Sequence, residues 1–105
     1  MIGRALRNAW TVARRRTEQR ADWALFAQQF ATSLRAARER RSLTQEDVAY
    51  RAGLTRYTYQ MYEKGESRPG TPVNPSLRSL LGLAQALDVS LSDLIPDDAP
   101  DLRRR

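Results

Sequence analysis

An all-α domain is predicted, and three observations predict it. Apolar residues recur at steps of three and four in each patterned segment. Thr, Ser and Asp stand where those segments would begin, and Gly stands where two of them would end. No stretch alternates apolar and polar residues as a half-buried strand does. Five helices are expected within residues 22–96, after a basic N-terminal extension over 1–21 with a helical pattern and before a loose tail over 97–105.

The bulk properties narrow the function. The chain has 105 residues, enough for one small domain with a modest core. It lacks cysteine and histidine, which removes disulfides, thiol chemistry and the usual metal sites. No acid cluster with an activating base is visible, so neither an enzyme nor a cofactor is expected. No run approaches the length of a membrane span, and arginines interrupt the N-terminus where a signal peptide needs apolar residues. A cytoplasmic protein with no membrane partner is the plain expectation. The net charge of +6 suits a polyanion. It is unevenly spread: +4 over residues 1–25, +3 over 26–69 and −1 over 70–105. An anion-binding face must therefore come from the first two parts.

In chain order, Ile2, Leu6, Ala9, Trp10 and Ala13 fall at helical spacing among arginines. The run Arg14-Arg15-Arg16 is expected to end that segment. Three readings of it stay open: a helix packed on the domain, a dimer contact or other protein contact, or a basic arm laid on DNA. Asp22 would cap a new helix to about Arg40, whose buried stripe is Trp23, Phe26, Ala27, Phe30, Leu34 and Ala37. After a break at Ser42-Leu43, Thr44 caps a helix over Gln45–Ala52, with Asp47 three residues on as the reciprocal partner. Gly53 takes the left-handed turn, Thr55 caps the helix that runs to Lys64, and Gly65 closes it. Residues 65–75, with Pro69, Gly70, Pro72 and Pro75, form a loop by composition. A helix from Ser76 to about Asp88 presents Leu77, Leu80, Leu81, Ala84 and Leu87. Ser90 caps a last short helix with Leu91, Leu94 and Ile95, and Pro96 stops it.

Two short helices joined at Gly53, the second carrying polar and aromatic residues outward, have the pattern of a helix-turn-helix. A second helix offered to a DNA groove reads bases from near its N-terminal end. Arg56 is best placed: its fork matches guanine, and it grips phosphate equally well. Gln60 lies one turn on and could pair with adenine, Tyr57 could meet a phosphate or a thymine methyl, and Met61 offers apolar contact only. Candidate phosphate contacts are Thr44, Gln45, Thr55, Thr58, Lys64, Ser67 and Arg68. Arg35, Arg40, Arg41 and Arg51 read as solvated surface. Tyr59 and Tyr62 fall on the inward side and read as core.

The pieces Leu34-Arg35-x-x-Arg38, Leu43-Thr44-Gln45-Glu46, Val48-Ala49, Ala52-Gly53-Leu54-Thr55, Tyr62-Glu63-Lys64-Gly65 and Leu80-x-x-Leu83-Ala84-x-x-Leu87-x-Val89-x-x-x-x-Leu94 carry a resemblance. Residues 30–95 resemble the phage-repressor-like helix-turn-helix family, also called the XRE family. The resemblance implies a five-helix repressor-like domain that binds double-stranded DNA, usually as a homodimer on a two-fold symmetric operator, in a transcriptional regulator. It places Arg56, Tyr57, Gln60 and Met61 at base-contacting positions and Gln45 on the backbone. It also implies a structural pair between Arg38 and Glu63. The chain departs from the family at 70–75, which reads as an insertion, and over the first 25 residues. An alternative of the same fold is a partner-binding protein such as an antitoxin or an anti-repressor.

Overall fold

A computed structural model describes the backbone of residues 2–103 and the side chains of residues 11–14 and 16–103. In chain order it has α1 (Ile2–Arg40), α2 (Gln45–Ala52), α3 (Arg56–Lys64), β1 (Glu66–Arg68), β2 (Thr71–Pro72), α4 (Leu77–Leu87) and α5 (Leu91–Leu94). The five-helix reading holds, with two corrections.

The first concerns α1, a single helix of 39 residues with no break at Arg16 and no fresh start at Asp22. Arginine is a good helix former, and neither Gly nor Pro occurs between residues 4 and 40, so nothing interrupts the backbone ladder. Arg14 and Glu18 add an i,i+4 ion pair at 3.2 Å. The expected stripe of Ile2, Leu6 and Trp10 lies outside the described side chains.

The second concerns residues 65–75. Part of the expected loop is a two-stranded antiparallel hairpin, with Glu66 opposite Pro72 and Arg68 opposite Thr71. Pro69 and Gly70, the latter at φ 79°, occupy the two central turn positions in the order a type II turn requires. Val73 is buried beyond β2, and its N–H bonds the Gly65 carbonyl at 2.9 Å. This anchors the returning strand to the core.

The core forms where α1, α2, α3, α4 and α5 converge. Leu34, Val48, Tyr59, Leu83, Leu87 and Leu94 are fully buried, and Ala27, Phe30, Ala37 and Ala49 fill the closer approaches. In α4 the inward face is Leu80, Leu83, Ala84 and Leu87, whereas Leu77 and Leu81, expected inside, are exposed. Both sets satisfy helical spacing. The crossing with α2 decides between them, because Gly82 brings α4 so near Ala52 that a Cβ there would lie 2.8 Å from the Ala52 carbonyl oxygen.

The caps follow the sequence closely. Thr44 with Asp47 and Ser90 with Asp93 form reciprocal capping boxes, and Thr55 and Ser76 cap α3 and α4. Gly53 and Gly65 adopt left-handed conformations at φ 72° and 79°. Asp88 does the same at φ 52°, and Arg41 bonds its carboxylate and carbonyl, each at 3.1 Å. Among the described residues no helix is long and apolar enough to cross a membrane.

Candidate nucleic-acid interface

The helix pair α2–α3 is held by a buried ion pair. Glu63, near the end of α3, is 3% exposed, yet it carries a carboxylate. Arg38 on α1 meets it with both sides of its fork: Nε to Oε2 at 2.6 Å and Nη2 to Oε1 at 3.0 Å. The third Arg38 contact, Nη1 to the Leu43 carbonyl at 3.0 Å, ties the same guanidinium to the segment entering α2. Gln45 Nε2 donates to Glu63 Oε1 at 3.3 Å, so the first residue of α2 also meets this carboxylate. One buried acid thus fixes α1, α2 and α3 relative to one another.

The electrostatics agree with that geometry. Burial alone pushes the Glu63 carboxyl up, but the hydrogen bonds from Arg38 and Gln45, with the nearby Tyr59 hydroxyl, outweigh it and hold the group below the usual glutamate range. The Arg38 guanidinium is raised, chiefly by its bonds to Glu63. The Tyr59 ring is fully buried beside the pair, and burial followed by the Glu63 carboxylate raises its hydroxyl far above the usual tyrosine value. The contact with the pair is electrostatic: the Tyr59 Oη atom makes no hydrogen bond of good geometry. Tyr62 is half-buried and packs against the core with it.

The residues singled out for contact fall into distinct places. Arg56 and Tyr57 stand exposed on the first turn of α3, and Tyr57 is 69% exposed. Gln60 is half-buried, one turn further on, and its Nε2 donates to Gln45 Oε1 at 3.4 Å. Met61, singled out for apolar contact only, is half-buried like Gln60 and packs against the core. Its position on α3 falls between the outward face of Arg56, Tyr57 and Gln60 and the inward face of Tyr59 and Tyr62, and apolar bulk there gains more from packing than from water.

Thr44, Thr55 and Thr58 are engaged locally. The Thr44 hydroxyl accepts from the Asp47 N–H at 3.0 Å. The Thr55 hydroxyl accepts from the Thr58 N–H at 3.1 Å and donates to Thr58 Oγ1 at 2.9 Å. Lys64, Ser67 and Arg68 are exposed along the end of α3 and the hairpin. Exposed polar surface thus runs from the end of α3 onto β1.

Among the contacts that escaped the sequence reading are two that α1 makes with the end of α3. Arg35, taken there as solvated surface, donates from Nη2 to the Glu63 carbonyl at 3.0 Å and lies 3.6 Å from Glu63 Oε1. Its spacing of three from Arg38 was the available signal, since it places both arginines on one side of α1. Gln28 donates to the Lys64 carbonyl at 3.0 Å and lies where a Cβ on Gly65 would strike it. No local sequence pattern reveals that contact, because 36 residues separate its two partners.

Comparison with known proteins gives the same outline. The chain is 31% identical over 70 residues to an uncharacterized HTH-type transcriptional regulator, YqaE, of Bacillus subtilis strain 168. That match covers 67% of this chain and 55% of the relative, so the chain spans little more than half of that protein's length. Its structure superposes on the restriction-modification controller protein C.AhdI from Aeromonas hydrophila with a TM-score of 0.57 and 33% identity. The superposition covers 66% of this chain and 96% of that one. The helix-turn-helix domain model matches residues 29–94, which contain α2, α3, the Arg38–Glu63 pair and all of the packed core but Ala27. With that match spanning well over half its length, the chain belongs to the helix-turn-helix domain family.

Proposed function

We propose that the chain is a transcriptional regulator that binds double-stranded DNA sequence-specifically. It acts as a homodimer on a two-fold symmetric operator, with α3 of each protomer in successive major grooves. The observation that carries this reading is the presentation of α3. Its inner side is locked by Tyr59 and Glu63, while Arg56 and Tyr57 project from its first turn with no partner among the described residues. A rigid helix with free donors at its N-terminal end is what base reading requires. Arg56, Tyr57 and Gln60 are the proposed base contacts, with the half-buried Met61 beside them as an apolar one. The N-terminal turn of α2 at Thr44 and Gln45, with Thr55, Thr58, Lys64, Ser67 and Arg68, would meet the backbone.

Regulator relatives support the DNA-binding class, and the basic balance of residues 1–69 supports a polyanionic partner. The test is selection of duplexes from a randomised pool by the full chain, followed by gel shift. Arg56→Ala is expected to change the preferred sequence, at about 1–3 kcal/mol for the base pair it reads. Arg68→Ala is expected to weaken binding to every sequence alike. An unchanged preference in Arg56→Ala would remove Arg56 from the reading set. A partner-binding role of the same fold is the second reading, and the long projecting α1 favours it. Selection that yields no preferred sequence would support it.

A further inference from the structure

The outward surface between α1, the start of α2 and the end of α3 holds a polar cleft lined by Arg35, Arg38, Gln45, Gln60, Glu63 and Lys64. We infer that this cleft is a phosphate site and that Arg35 is its principal ligand, gripping a backbone phosphate of duplex DNA beside the groove that α3 enters. The inference rests on the DNA-binding reading above and adds to it a residue that sequence patterning had assigned to solvent.

Charge is the first support. Three cations line the cleft and one carboxylate faces them. Arg38 already engages that carboxylate bidentately, at 2.6 and 3.0 Å. Arg35 shares the same carboxylate at longer range, Nε to Oε1 at 3.6 Å, so one anion faces three cations and the cleft keeps a net positive charge that attracts an anion.

Geometry is the second. Arg35 is half-exposed, with 53% of its side chain open to solvent, yet it is not loose. Its Nη2 is tied to the Glu63 carbonyl, one of the carbonyls that a helix end leaves without an intrahelical partner. The remaining guanidinium N–H groups have no acceptor within hydrogen-bond distance among the described residues. A planar fork fixed on one side and open on the other matches two unesterified oxygens of a phosphodiester.

The third support is what surrounds the fork. Gln45 and Gln60 bond one another at 3.4 Å, and Gln45 bonds Glu63 at 3.3 Å. Their amides therefore form a fixed polar wall, and among the described residues no second carboxylate lines the cleft to compete for Arg35.

The experiment uses the full chain and two probes: a duplex selected by the wild-type protein from a random pool, and an unrelated duplex of equal length. Affinity is measured across a salt series for wild type, Arg35→Gln, Arg35→Lys and Arg41→Gln, with melting recorded for each. Arg35→Gln is expected to weaken both probes by similar factors and to make the log affinity–log salt slope shallower by about 0.9 per bound protomer. Arg35→Lys should restore the slope and only part of the affinity, because the charge returns without the fork. Arg41→Gln, whose arginine bonds Asp88 away from the cleft, should leave both unchanged. An Arg35→Gln slope parallel to wild type, with or without a lower melting temperature, would reduce Arg35 to a cap on α3 and overturn the phosphate site. A change in which sequence is preferred would overturn it too, by making Arg35 a base reader. Should the wild type select no duplex at all, the regulator reading falls first and the site falls with it.

Discussion

Glu63 is the residue on which the presentation of α3 depends. A buried carboxylate paired by Arg38 adds little net stability, because desolvation offsets attraction, but stranding one partner is costly. Glu63→Ala is expected to cost about 3 kcal/mol, the lower end for a buried pair because part of the Arg38 side chain reaches solvent. In a domain of this size that lowers the melting temperature by more than about 10 °C. The pH dependence follows in sign. The folded-state carboxyl lies below its ordinary value, so its contribution is complete above about pH 4.3, the unfolded glutamate pKa. The contribution is lost as pH falls through the lower folded value. The gap in melting temperature between wild type and Glu63→Gln should therefore narrow between pH 6 and pH 3. The capping acids Asp47 and Asp93, which are also held low, are common to both proteins and cancel. A constant gap would show that Glu63 acts through shape alone. The family resemblance by itself places Arg38 opposite Glu63. It could not supply Arg35 or Gln45, whose contacts with Glu63 depend on where the C-terminal end of α3 meets α1 and the start of α2.

At the scale of elements, the sequence was legible wherever structure is made by neighbours in the chain. Thr44, Thr55, Ser76 and Ser90 cap the helices that they precede, and Gly53 and Gly65 turn where a left-handed residue is needed. Legibility failed where a choice between two local patterns is made by distant contacts. Residues 66–72 are too short and too rich in proline to announce a hairpin, and the buried Val73 holds the return strand. Likewise α4 offers two apolar stripes of equal spacing, and the close crossing at Gly82 selects the one through Leu83. Gly82→Ala tests that crossing. Alanine gains up to about 1 kcal/mol of helix propensity over glycine. Its Cβ, however, would sit 2.8 Å from a backbone oxygen on α2, where no flexible side chain can give way. Overpacking of this kind costs about 1–3 kcal/mol, so a net loss of stability is expected from thermal melting. A higher melting temperature would mean that α2 and α4 part readily and that packing elsewhere sets the face of α4.

The whole molecule is elongated, 61 × 25 × 20 Å with a Cα radius of gyration of 17.1 Å. A rounded domain of 105 residues would have about 13 Å. The excess comes from α1, whose 39 residues at 1.5 Å each make a rod of about 58 Å. The core begins to cover that rod near Trp23 and Ala27, while Val12, Ala13, Arg14, Arg16, Thr17, Glu18 and Arg20 are exposed. The last described residues return to the rod, where Gln19 donates to the carbonyls of Asp101 and Arg103 at 3.2 and 3.1 Å. Gln19 thus ties the tail to α1 a turn before the core begins to cover it. We propose on these grounds that residues 22–96 form the folding unit and that the first half of α1 is an appendage to it. Deleting residues 1–18 keeps Gln19 and its two tail contacts. It removes helical residues whose described side chains are mostly solvated, and surface changes of that kind usually stay within about 0.5 kcal/mol. The melting temperature should therefore move by no more than about 4 °C, while the helical circular dichroism signal falls in proportion to the residues removed. If the deletion instead lowered melting steeply and halved the mass in solution, the exposed rod would be a contact between two copies. The folding unit would then be the dimer, with α1 as part of its core.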